Sequence, residues 1–84
     1  MPIAAHPELS LIFYGNVEYL RKRDNISIMK LSKLSGVNRN SYSKALEHHS
    51  VPSLYSAYRI AEALGVTLDF LLTEHSFTRE EKKL

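Results

Sequence analysis

Eighty-four residues make one small domain, and the absence of cysteine excludes disulfide staples and thiolate metal sites. No apolar run approaches the roughly 18–20 residues of a membrane span and no secretory leader is visible, so the expectation is a cytoplasmic protein without membrane contact. The formal charge of +2 hides an asymmetry: residues 21–52 hold seven Lys and Arg against two acidic residues, with His48 and His49 beside them. Such a concentration suits a polyanionic partner; the plain alternative is a solvated basic face.

Hydrophobic residues at 44% and only three glycines suit an ordered helical protein, and no strand alternation is present. The fold class is therefore all-α, with five predicted helices over residues 1–73 and a polar tail over 74–84. The first helix spans about residues 9–24, with Pro7 just before it and Leu9, Ile12, Phe13, Val17 and Leu20 making one apolar face. A turn at Asn25-Ile26 leads to Ser27, which caps a second helix at about 28–35 carrying Leu31 and Leu34. Gly36 follows, where a positive φ is expected past a helix end. Asn38 caps a third helix at about 39–47, with Val37 placed to pack back on Tyr42 as a hydrophobic staple. His48–Pro52 reads as a loop. Ser53 caps a fourth helix at about 54–64 whose Leu54, Ala57, Tyr58, Ala61 and Leu64 form a stripe, ended by Gly65. Thr67 caps a short fifth helix at about 68–73.

Two short helices joined by a glycine-centred turn form a helix-turn-helix, in which the second member enters the DNA major groove and the first crosses the phosphate backbone. The polar third helix then has a role. Tyr42, Ala45 and Leu46 anchor it, while Arg39, Asn40, Ser43 and Lys44 point outward. Arginine can bond guanine O6 and N7 bidentately, asparagine can do the same with adenine N6 and N7, and lysine can reach a guanine or a phosphate. The alternative is a solvated amphipathic helix whose polar face has no partner.

Specific residues carry a resemblance. Val17-Glu-Tyr-Leu20-Arg21-Lys-Arg, Ile26-Ser27, Leu31, Gly36-Val37-Asn38-Arg39, Pro52-Ser53-Leu54 and the run Tyr58–Leu72, "YRIAEALGVTLDFLL", lie in one register. Over Val17–Leu72 the chain resembles the Cro/repressor-type (XRE-like, lambda-repressor-like) helix-turn-helix family. That resemblance implies a five-helix domain that binds operator DNA, usually as a homodimer on an inverted repeat, and regulates transcription as a repressor of the phage or prophage kind. It assigns base contacts to Asn38, Arg39, Asn40, Ser43 and Lys44. Phosphate contacts fall on Ser27, Lys30, Ser41, His48, His49 and Ser50, and dimer contacts on Phe70 and Leu71.

Three positions depart from the family pattern. Ile28 stands where a glutamine often braces a phosphate, with Met29 next to it; Ile28 would meet a thymine methyl or, with Met29, a protein partner. Leu46 stands where a glutamate often pairs with the first-helix arginine, so Arg21 has Glu47 as partner or stays solvated. His48 replaces a glycine after the third helix.

Rival functions are weaker. Adjacent His48 and His49 diverge by about 100° on a helix and have no carboxylate at supporting spacing, so no metal and no cofactor are expected. In a loop they would instead touch phosphate, with binding strengthened below roughly pH 6.5, where histidine gains charge. No glycine-rich phosphate loop, nucleophilic cysteine or catalytic triad spacing supports an enzyme. The serious rival is a protein-interaction module of the same fold, such as an antitoxin or co-regulator, using Ile28-Met29 and Phe70-Leu71-Leu72.

Overall fold

A computed structural model describes residues 7–48 and 50–75. It contains α1 (Pro7–Arg23), α2 (Ile28–Ser35), α3 (Arg39–His48), α4 (Leu54–Leu64) and α5 (Leu68–Leu71). The five expected helices are present, with no strand among the described residues. Residue 49 and the tail beyond His75 lie outside the described residues.

Local chemistry sets the boundaries. Ser27, Ser53 and Thr67 sit in extended backbone, and each side chain accepts the amide three residues on. Asn38 does the same for α3, its Oδ1 accepting from Asn40 N at 2.8 Å and Ser41 N at 3.1 Å. Gly36 and Gly65 close α2 and α4 at φ of 80° and 74°, left-handed values that a side chain disfavours. Asn25 ends α1 in the same way at φ 58°, followed by Ile26 N donating to Arg21 O at 2.8 Å.

The core draws on every helix: Phe13, Tyr14, Val17 and Leu20 from α1, Leu31 from α2, Tyr42 from α3, Ala57, Ile60 and Ala61 from α4, and Leu71 from α5. The buried face of α1 is rotated from the expected one. Leu9 is 40% exposed and Ile12 half-buried, whereas Ser10, Tyr14 and Asn16 are buried. Tyr14 accounts for the rotation: its ring meets Phe13 edge-on at 5.0 Å and Tyr42 at 6.0 Å, contacts larger than an aliphatic at position 9 or 12 would make. In α4 the stripe also shifts, because Ile60 takes the core position and Leu54 and Tyr58 turn outward at 77% and 51% exposure. Leu34 is likewise exposed.

α5 ends at Leu71, two residues short of the expected boundary. The carbonyls of Leu71 and Thr73 are instead satisfied by the buried Asn16 amide of α1, at 2.9 and 2.8 Å. Leu71 itself has no exposed surface. Its side chain is enclosed in the core to which all five helices contribute. Phe70 is half-buried, its ring stacked on His75 with centroids 4.0 Å apart.

Candidate nucleic-acid interface

The turn between α2 and α3 is closed by two serines. Ser32 Oγ donates to Val37 O at 2.6 Å, and the buried Ser35 donates to Leu31 O at 2.8 Å while accepting from Val37 N at 3.1 Å. From α4, Arg59 Nε donates to Ser35 O at 3.0 Å and so satisfies a carbonyl at the end of α2. The angle between the two helices is therefore held by α2 serines that bond the Val37 backbone across Gly36 and by Arg59 from α4.

α3 is anchored through few residues. Tyr42 is buried and Ala45 and Leu46 are half-buried; Arg39, Asn40, Ser41, Ser43, Lys44, Glu47 and His48 are exposed, as is the capping Asn38. Asn40, Ser43 and Lys44 share one helix face by their three- and four-residue spacing, and Arg39 lies one turn before Ser43. None of the Arg39, Asn40, Ser43 and Lys44 side chains bonds or pairs with another described residue. The Asn38 carbonyl oxygen is occupied by capping, which leaves its Nδ2 to donate outward. No acidic residue lies in the first turn of α3, so its positive end is not quenched from within.

The remaining expected contact residues fall nearby in sequence. Ser27 and Lys30 are exposed at the start of α2, Ser27 also serving as its cap. His48 belongs to α3 rather than to a loop, and Ser50 is exposed just past it, its amide donating to Ala45 O at 3.1 Å. His49 lies outside the described residues. Ile28, expected to face DNA, is half-buried against the core, while Met29 is 49% exposed.

Behind α3 is a polar cluster that ties it to α1. Tyr42 Oη donates to Glu18 Oε2 at 2.8 Å. Arg21 also grips Glu18, its Nε at 3.0 Å from the same oxygen, and its Nη1 donates to Ile26 O at 2.9 Å. The partner of Arg21 is thus Glu18 on its own helix, not Glu47, and Leu46 packs against the core where the family often has an acid. Burial pushes the Glu18 carboxyl up, but the hydrogen bonds from Arg21 and Tyr42 and the charges of Arg21 and Lys22 together hold it below its usual value. Burial, then the Glu18 charge and hydrogen bond, push the Tyr42 hydroxyl far above the ordinary tyrosine range, so it stays a donor. The three-residue spacing of Glu18 and Arg21 was a signal for their pairing; nothing local marked Tyr42 as a partner.

A family model for the helix-turn-helix, HTH_3, matches residues 17–71. The chain belongs to this Cro/C1-type, XRE-like helix-turn-helix family. No curated protein and no solved structure matches it significantly. The match begins at Val17 in the middle of α1 and ends at Leu71, so it takes in the α2–turn–α3 unit and the helices that brace it. The helix-turn-helix domain is accordingly that of a DNA-binding transcription regulator of the XRE type, a family of regulators and not typically of enzymes. Among the described residues, no helix is long and apolar enough to cross a membrane.

Proposed function

We propose that the protein is a repressor that binds a palindromic operator as a homodimer and acts by occupancy in the cytoplasm, as compact phage or prophage regulators do. In this reading α3 lies in the major groove. Asn38, Arg39, Asn40, Ser43 and Lys44 read bases, while Ser27, Lys30, Ser41, His48, His49 and Ser50 hold the phosphates. The observation that carries it is the outward face of α3, where the side chains of Arg39, Asn40, Ser43 and Lys44 are exposed and bond no other described residue. The dimer contact is assigned to α5, at Phe70, which is half-buried, and at its neighbour Leu71, which packs in the core.

Competition titrations on a labelled duplex test the reading. The affinity for a cognate site is expected to exceed that for a scrambled duplex by about a thousandfold or more. Equal affinity for both contradicts it. Sedimentation of the complex is expected to give two chains per site; one chain per site contradicts the dimer.

A second reading, an interaction module that engages a protein partner, draws on one observation. Ser27, Met29, Lys30, Lys33 and Leu34 line an open groove along α2 with a mostly apolar surface. A chain that stays monomeric and selects no duplex favours this reading.

A further inference from the structure

The link between α3 and the rest of the domain is narrow. Among the described residues, the side-chain hydrogen bond that joins α3 to another helix runs from Tyr42 to Glu18. Edge-on contact with Tyr14 sets the plane of the Tyr42 ring, and the hydroxyl sets how deep the ring sits. The same Glu18 carboxylate is gripped by Arg21, whose other nitrogen holds the carbonyl of Ile26. Ile26 immediately precedes Ser27, the cap of α2, and Lys30 donates its amide to that cap. One carboxylate on α1 is therefore shared between the helix assigned to bases and the turn that begins the segment assigned to phosphates.

We propose that Glu18 is the positioning residue of the recognition helix: through Tyr42 and Arg21 it fixes α3 relative to the start of α2. Glu18 and Tyr42 touch no DNA in this account. They act through Arg39, Asn40 and Lys44, whose bidentate or directional bonds to base edges fail when the helix shifts by about an ångström. Phosphate contacts from flexible lysine side chains tolerate the same shift. Loss of the clamp therefore lowers discrimination between sequences and leaves general affinity for duplex in place. The inference rests on α3 being the DNA-reading element.

Two variants test it. Tyr42→Phe removes one hydroxyl and keeps the ring, and Glu18→Ala removes the shared carboxylate. Binding is measured at a temperature where circular dichroism shows each variant fully folded. Both are expected to lower the cognate-to-scrambled affinity ratio about tenfold, the scale of a lost hydrogen bond to a charged group, with scrambled affinity within about twofold of the parent. The double variant is expected to lose no more than the greater single loss, because the two residues share one interaction. A folded Tyr42→Phe that keeps the parent's ratio overturns the proposal, as does an equal fall on both duplexes.

Amide hydrogen exchange on the free protein gives a reading that needs no DNA. Tyr42→Phe is expected to speed exchange in α3 and around Ile26–Lys30 while α4 keeps its protection. Unchanged or uniformly faster exchange overturns the clamp. If the parent itself discriminates no duplex, the DNA-reading function fails and the exchange result alone decides whether Glu18 positions α3.

Discussion

Asn16 Nδ2 donates to the carbonyl oxygen of Leu71 across 2.9 Å, joining positions 55 residues apart. The amide is buried, and the same nitrogen serves Thr73 O at 2.8 Å. A short helix of four residues cannot hold itself together in water, so α5 depends on this bond and on the enclosed Leu71 side chain.

Asn16→Ala is therefore expected to destabilise the domain by about 2–3 kcal/mol, because it strands the buried Leu71 carbonyl as well as opening a small void. Urea denaturation checks this. The midpoint should fall with the slope unchanged, which marks a change in stability and not in the unfolded state. A loss below about 0.5 kcal/mol, the level of an ordinary surface substitution, contradicts the clamping role.

Stability should depend on pH through Glu18 and Tyr42. The folded Glu18 carboxyl lies below its usual value of 4.5, so its contribution is present above that value and is lost as pH falls through the folded one. Tyr42 is shifted upward from 10.0, so its contribution is complete below that value and is lost as pH rises beyond it. Melting temperature is expected to form a plateau bounded by an acid and an alkaline limb. Glu18→Gln should lower the plateau and weaken the acid limb, to which Asp24, lowered chiefly by its hydrogen bond with Arg23, also contributes. Tyr42→Phe should weaken the alkaline limb, part of which remains because burial also raises Tyr14. Limbs of unchanged steepness in both variants contradict these assignments.

Lys30 is exposed at the start of α2 and is assigned a phosphate. Lys30→Ala should weaken binding to all duplexes alike and reduce the slope of log affinity against log salt by about one. Titrations from low to moderate salt check it, and an unchanged slope removes Lys30 from the backbone contacts.

What the sequence made legible was local. Ser27, Asn38, Ser53 and Thr67 were recognisable as caps because a capping oxygen needs only the amides two or three residues on, and Gly36 and Gly65 because left-handed backbone is a single-residue property. The exposed face of α3 followed from its own periodicity. The structure alone revealed the bonds that join distant segments. Asn16 lies on a helix face that could equally have been solvated; Tyr42 read as an apolar anchor, and its hydroxyl partner lies 24 residues away; Arg59 meets Ser35 only because α4 packs on α2. The buried face of α1 is likewise set by distant contacts. Counting apolar residues favoured Leu9 and Ile12, whereas the fit of Tyr14 against Phe13 and Tyr42 decided the rotation.

Parallel selection of bound duplexes from a random pool, by the parent protein and by Arg39→Ala, shows whether α3 reads bases. The parent is expected to enrich one sequence with half-sites about ten base pairs apart, centre to centre. Arg39→Ala should relax the preference at one base pair in each half-site and weaken the cognate site by about 1–3 kcal/mol. No enrichment by the parent, or an identical enriched sequence from both proteins, contradicts a third helix that reads bases through Arg39.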